Sequence, residues 1–309
     1  MRILPIYKLT ITALLLLTGG VLFAQKGTVD QPVTTSENDF YPPSVNKDWQ
    51  PSLTPDGAWD RVSHKSKPIP WQWIREADIL WKKRVWRDID TREKQNVGFR
   101  YSGDENTGGG WFIEILLDGL KRGKIKAYSN MDDRFTQELS KEAVIQMAAG
   151  KDDTSKVYDP TTDTWSIKLS HTDFQPELIS KYRIKEDWIF DRNQGKMVVR
   201  IVGLAPMKDI YGDNGEYRTT TTMFWIYYPD CRNFLAQYEV VNPLNDLARY
   251  TWDEFFESRV FTSKVIKISN PFNNSFENLG IYPNRMEALY EGTRVNDEIF
   301  NKEHDMWVY

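Results

Sequence analysis

Three histidines, one cysteine and a few adjacent acid pairs are the residues with which this chain could do chemistry. His64, His171 and His304 are far apart, with no i, i+4 partner on a helix and no neighbouring cysteine, so they lack the spacing of a zinc site. No Gly-x-Ser-x-Gly elbow occurs. Ser44 and Lys47 have the Ser-x-x-Lys spacing of penicillin-recognising enzymes, but the companion Lys-Thr-Gly is missing and the motif lies in a Pro-rich stretch instead of opening an apolar helix. Gly108, Gly109 and Gly110 could cradle a phosphate ahead of a helix, yet no Gly-Lys-Ser/Thr follows, and a loop is the better reading. Asp209 to Glu216 has the look of a calcium loop until Gly215 is set at its sixth position. Ile210 and Gly212 then occupy ligand positions, so a hairpin turn is expected. The pairs Asp132–Asp133 and Asp253–Glu254 are neighbours in sequence and are expected to be solvated or capping. Nothing here assembles a catalytic set or calls for a cofactor or metal, and the chain reads as a non-enzyme.

The densest functional signal is instead the block Asp78 to Asn96, DILWKKRVWRDIDTREKQN. Ile74, Trp81, Val85 and Ile89 recur at i, i+7, i+11 and i+15, which predicts an amphipathic helix with Lys82, Lys83, Arg87 and Asp88 off the apolar stripe. Trp81 falls on the buried stripe. Trp86 falls off it and, with Arg84, Arg87, Arg92 and Glu93, forms the candidate partner interface, although these charges would serve equally as a solvated helix face.

The surrounding chain divides into three parts. Residues 1–24 carry Arg2 and Lys8, the apolar run Leu14 to Leu17 and a close on Ala24, the layout of a secretory signal peptide. Leu22 is bulkier than the small residue preferred three positions before the cut. The only cysteine, Cys231, is distant from this region, so neither a lipidated N-terminal cysteine nor an internal disulfide is expected; a buried, inert thiol is. Loss of Arg2 and Lys8 moves the net charge from −4 to about −6, which disfavours a general nucleic-acid role. Residues 25–70 are rich in Pro, Ser, Thr, Asn and Asp and read as an extended arm whose aromatic anchors Phe40, Tyr41, Trp49 and Trp59 are costly to leave in water, so parts of the arm are expected to pack on the chain itself or on a neighbouring subunit. Residues 71–309 are expected to form one domain.

Within that domain the periodicities predict helices over 111–120, 140–149, 251–258 and 284–307, the third with the capping-box spacing of Thr251 and Glu254. Strands are predicted over 125–128, 181–190, 196–204, 219–228 and 263–268. The fold class is therefore α+β, a mainly antiparallel sheet flanked by helices, preceded by the Pro-rich arm. Aromatic residues make up 14% of the chain, with 12 Trp, which suits a large core or an aromatic contact surface. A terminal Trp307-Val308-Tyr309 is the one hint of an outer-membrane barrel, and the charged residues before it argue against that.

Several separated strings, in order, resemble the GldN/PorN family of gliding-motility and type IX secretion proteins. They are Trp81-Lys-x-x-Val85-Trp86-Arg87-x-Ile89-Asp90-x-Arg92-Glu93-Lys94-x-Asn96; Arg183 to Trp188 with Asp191 and Met197 to Met207; Phe224 to Pro229 with Cys231-Arg232 and Asn242-Pro243; and Trp252 to Glu257. Thr91 stands where Leu is expected and reads as a change on a helix surface. The resemblance implies a non-enzymatic structural subunit in the periplasm, peripheral to the outer membrane of Bacteroidota. It implies a large ring formed with a GldK/PorK-like lipoprotein, contact with the periplasmic part of a GldM/PorM-like motor protein, and support of secretion and gliding. A secreted glycan-binding module, stacking exposed aromatics on sugars, is the alternative.

Overall fold

Residues 81, 85 and 89 are separated by four, a spacing that satisfies one face of a helix and one face of a strand alike, and the computed structural model shows which of the two the chain adopts. Ile79–Asp90 is a twelve-residue strand, β1, not the predicted helix. Its β-branched and aromatic residues (Ile79, Trp81, Val85, Trp86, Ile89) suit a pleated surface, and its charges find cross-strand partners that a lone helix would not offer. The structure describes residues 67–102, 110–148, 153–159, 164–170, 174–212, 214–242, 245, 250–278, 280–282 and 284–306, with 153–159 and 164–170 as backbone. All of them fall in the compact unit Phe40–Tyr309.

The further strands are β2 (Ala127–Tyr128), β3 (Asp153–Asp159), β4 (Thr164–Ser170), β5 (Ile179–Asp191), β6 (Lys196–Tyr211), β7 (Tyr217–Thr222), β8 (Trp225–Tyr227), β9 (Glu239–Val240), β10 (Tyr250–Thr251) and β11 (Lys264–Ile268). The main sheet runs β11-β1-β5-β6-β8-β2, with β7 added to the far half of β6, and its pairings are antiparallel. β3 with β4 and β9 with β10 form separate two-stranded sheets. The helices are α1 (Phe112–Lys121), α2 (Lys141–Ala148), α3 (Tyr228–Leu235), α4 (Trp252–Glu257) and α5 (Arg285–Met306). This is the expected α+β class. The end of the predicted 219–228 strand is instead helical, because Pro229 sits in the first turn of α3, where its missing N–H costs nothing.

The β5–β6 hairpin forms as its sequence requires. Asp191 accepts from the Asn193 N–H and the Gln194 side chain, and Gly195 takes φ +61 with open space around its Cβ position, so glycine is there for the backbone angle alone. The predicted capping box is also present: Thr251 Oγ1 accepts from the Glu254 N–H while the Glu254 carboxylate accepts from the Thr251 N–H, two orphan donors satisfied at the start of α4. Ser140 likewise caps α2 through the Ala143 N–H.

Alternation along β1 sorts its residues. Trp81, Val85, Arg87 and Ile89 share one sheet face, and Arg84, Trp86 and Asp88 the other. The first face carries the core. Ile89, Ile184, Ile201 and Leu204 pack under α1, α3 and α4 with an aromatic cluster of Phe99, Phe112, Tyr182, Trp252, Phe255 and Phe256, where Phe112 and Trp252 lie 4.1 Å apart between ring centroids. Each such fully buried ring contributes about 1.5–3 kcal/mol from burial. Val85, Val265, Val295 and Ile299 form a second apolar cluster under α5, with Trp81 and Trp188 at its margin. Among the described residues, many of the aromatic rings are thus core, while others, such as Trp73, Phe272 and Tyr290, remain exposed. The second face is covered by the loop between β2 and α2, whose Phe135 (φ 60) reaches Tyr128, Trp225 and Tyr227. A Cβ at Gly203 would lie 2.7 Å from the Phe135 ring, so glycine there makes room for the aromatic cover.

Candidate functional site

Each of the five residues of the candidate interface has an intramolecular partner. On the second sheet face, β1 and β5 match pair by pair: Arg84 opposite Asp187, Trp86 opposite Lys185, Asp88 opposite Arg183. Arg84 donates two hydrogen bonds to Asp187, at 2.6 and 2.8 Å, and Lys82 adds an ion pair at 2.9 Å. Burial pushes the Asp187 carboxyl up, but the hydrogen bonds from Arg84 and Lys82 outweigh it and hold the group below its ordinary range. Arg183 is bidentate to Asp88. Fork-to-carboxylate pairs of this kind fix register as well as adding energy.

Trp86 is 8% exposed. Its Nε1 donates to Asp133 Oδ2 at 2.8 Å, and the ammonium groups of Lys267 and Lys185 lie 4.5 and 5.8 Å from its ring centroid. Lys185 in turn donates to the Asp133 carbonyl, and burial lowers its pKa. Trp86 and Lys185 together hold the covering loop down through Asp133, so that carboxylate is tied into the fold. Trp86 is therefore the centre of an intramolecular cation–π and hydrogen-bond group, not a residue standing out on a helix surface.

Arg87 points to the opposite face. Its Nε lies 3.2 Å from Glu186 Oε2, with no hydrogen bond of acceptable angle from that nitrogen, so the contact is electrostatic, while its Nη2 donates to Asn296 of α5. Glu186 is fully buried and also accepts from Arg259 at 2.7 Å and from Trp188 Nε1 at 3.0 Å. This Arg87–Glu186–Arg259 group lies between the two apolar clusters and joins β1, β5, the end of α4 and α5. Breaking a buried pair of this kind from one side costs about 3–5 kcal/mol.

The remaining two candidates occupy the turn after β1. Arg92 is bidentate to Asp90. Glu93 accepts from Thr262 Oγ1 and pairs with Lys264 at 3.0 Å. Thr91, expected on a helix surface, is buried and its hydroxyl donates to the Ser180 carbonyl, which explains a polar residue at that position.

A second constellation was not anticipated. Arg232 of α3 makes two hydrogen bonds to Asp253 of α4, at 2.7 and 3.0 Å; Asp253 is fully buried, neither solvated nor capping, while its neighbour Glu254 takes the capping role. The pair grips the end of the Pro-rich arm. Asp253 Oδ2 accepts from the Ile69 N–H at 2.9 Å, and Arg232 Nη2 donates to the Ile69 carbonyl at 2.5 Å. The indole of Trp71 lies between Arg232 and Arg200, 4.5 and 4.9 Å from their guanidinium carbons, and its Nε1 donates to Glu257 Oε2 at 2.8 Å. Burial raises the Glu257 pKa against the opposing pull of Trp71 and Arg232. The sequence signal, legible only afterwards, is Pro68-Ile69-Pro70-Trp71.

Of the residues considered for chemistry, Cys231 is buried, with its thiol against the Tyr227 carbonyl at 3.2 Å and its pKa pushed well up by burial, which makes it a poor nucleophile. His304 lies on α5 against the ring of Phe300, 4.8 Å between centroids. The Gly212–Glu216 segment closes the β6–β7 hairpin. Among the described residues no three His, Cys, Asp or Glu side chains converge as a metal site would require, and no helix is long and apolar enough to cross a membrane. His64, His171, Ser44, Lys47, Gly108, Gly109, the export signal and most of the arm lie outside the described residues.

An antiparallel sheet with helices on one face, an aromatic loop cover on the other and charged groups paired across its strands defines an α+β scaffold. The family model described as gliding motility associated protein GldN matches residues 74–308, from just before β1 to past the end of α5, and the chain belongs to that family. Among curated proteins, none matches the chain.

Proposed function

We propose that this chain is a structural, non-enzymatic subunit of the periplasmic ring of the type IX protein secretion system. In that reading many copies assemble with a GldK/PorK-like outer-membrane lipoprotein, peripheral to the outer membrane, and couple to the periplasmic part of a GldM/PorM-like motor component, supporting secretion and gliding. The observation that carries it is the GldN family match across residues 74–308, which takes in the whole described body of strands and helices. Arg84, Trp86, Arg87, Arg92 and Glu93 each carry an internal pair, and large apolar residues left in water, among them Trp73, Phe272, Tyr290 and Phe300, are further candidate assembly contacts.

Deletion of the gene tests the proposal. Cargo export and gliding should be lost together and return with a plasmid copy, and tagged protein extracted in mild detergent should bring a lipoprotein with it in large particles. Normal export in the deletion strain would overturn the reading.

A further inference from the structure

The grip on the arm is directed at backbone and at one aromatic ring, not at a tailored pocket. Pro68 and Pro70 have no N–H, so Ile69 offers the only backbone donor between them, and Asp253 takes it while Arg232 takes the carbonyl. Proline fixes its own φ and holds the residue before it extended, so the segment arrives in its bound shape with little entropy left to lose, as Pro-rich ligands do in aromatic grooves. The Ile69 side chain remains 39% exposed; only Trp71, in its slot between Arg200 and Arg232, packs against the core.

Two further observations bear on who fills this groove. Withdrawal of the arm would leave Arg232 and Asp253 still bidentate to one another, so that pair is not broken when the groove empties; Glu257 loses its Trp71 donor and keeps Arg232 as its nearest cation, at 3.8 Å. Two residues beyond the gripped indole, Trp73 stands 78% exposed, a large apolar ring left in water when the arm folds back on its own body.

We infer that the Arg200–Arg232–Asp253–Glu257 groove is a Pro-x-Pro-Trp receptor that also accepts the Pro68–Trp71 segment of a second copy of this chain, so that neighbouring subunits exchange arms. The inference rests on the reading of the chain as one of many copies in an assembly. An identical segment makes identical contacts, and because the giving and receiving surfaces differ, the contact is head-to-tail and can propagate around a ring. Isolated chains fill the groove from their own arm, whose tether gives it the higher effective concentration; neighbours fixed close together remove that advantage. The seven residues between Trp71 and the start of β1 reach at most about 25 Å when extended, which sets the distance within which the neighbouring groove must lie.

The test uses full-length protein with a photo-crosslinking benzoylphenylalanine in place of Trp73, prepared in light and 15N-labelled forms, mixed in equal amounts and assembled. Crosslinks from position 73 to peptides containing Arg200 or Arg232 are read by mass spectrometry. Exchange in every clasp would make about half of these products mixed-isotope. Single-isotope products alone from assembled protein overturn the inference; isolated chains, whose own arm fills the groove, serve as the single-isotope control. Trp71→Ala supplies the second measurement: it should reduce assembly by removing the donor ring, and an unchanged assembly profile for folded Trp71→Ala protein also sinks the proposal. Either negative leaves the scaffold reading standing, since that is decided by the export and gliding phenotype of the deletion.

Discussion

Arg259 adopts a left-handed backbone conformation, φ 53, and from it places its Nη1 2.7 Å from Oε1 of the fully buried Glu186. The position is the one that closes α4: the Arg259 N–H donates to Phe256 and the Val260 N–H to Phe255, the hydrogen-bond pattern of a helix end at which glycine is the usual residue. An arginine there accepts a backbone cost of about 1–2 kcal/mol because its side chain supplies the second cation for Glu186.

That trade can be measured. Arg259→Ala keeps the strain and loses the cation, whereas Arg259→Gly loses the cation but relieves the backbone. Both should be less stable than the parent in urea titration, Arg259→Ala by about 3 kcal/mol, the low end of the range for a broken buried pair because Arg87 still faces Glu186, with Arg259→Gly more stable than Arg259→Ala by about 1 kcal/mol. A glycine variant as stable as the parent would mean that Arg87 alone suffices to hold Glu186.

Glu257 gives a pH signature of definite sign. Its folded-state pKa is raised above the ordinary 4.5, chiefly by burial, so the ionised form is penalised in the fold. Its contribution to stability is best below 4.5 and declines as pH rises from there to the raised value, beyond which it is constant. Glu257→Gln keeps an acceptor for Trp71 Nε1 and removes the titration. Stability measured from pH 4 to 8 should therefore fall less steeply with rising pH in Glu257→Gln than in the parent; parallel profiles would show that burial at this carboxylate is compensated. Asp187 acts in the opposite sense, since its lowered pKa gives stability that is lost as pH falls through the folded value.

Trp86 predicts a fold defect where a helix-surface reading predicts a pure assembly defect. Trp86→Phe retains the ring beside Lys185 and Lys267 but leaves Asp133 without its indole donor, a loss of about 1–2 kcal/mol. Trp86→Glu removes the ring and sets a carboxylate beside Asp133, and should cost about 3–5 kcal/mol, the range for deleting a large buried aromatic. Thermal melts of the two purified variants decide it. A Trp86→Glu protein with the parent's melting temperature would show that the indole is dispensable to the fold and leave partner contact as its role.

What was legible in the sequence follows from how local each signal is. The Asp191–Gly195 turn, the Thr251/Glu254 capping box and the Ser140 cap of α2 are settled by a few adjacent residues, and they fold as their types dictate. β1 looks like a helix in sequence because the spacing of Trp81, Val85 and Ile89 is common to both periods, and the residues that break the tie, Asp187, Lys185 and Arg183, lie about a hundred positions away. The groove for the arm was invisible for the same reason. Arg232 and Asp253 look like ordinary helix charges until folding brings Ile69 between them.

Gly292 carries a final prediction about how α5 is held. It is a buried glycine in the middle of a 22-residue helix, where glycine costs about 1 kcal/mol relative to alanine, and propensity alone would favour replacing it. Yet a Cβ at this position would lie 2.5 Å from the backbone carbonyl oxygen of Val265 on β11, an atom that cannot rotate away as a side chain would. Gly292→Ala must therefore push the helix off the strand, loosening Val295 and Ile299 from Val85 and Val265 and lengthening the Arg87–Asn296 hydrogen bond. The overpacking penalty of about 1–3 kcal/mol should exceed the gain in helix propensity, so the variant is less stable overall. Hydrogen exchange localises the effect: amides of α5 and β11 should lose protection while those of α1 and α4, which carry the aromatic cluster, keep theirs. An alanine variant that is more stable than the parent would show that α5 has room to move on the sheet.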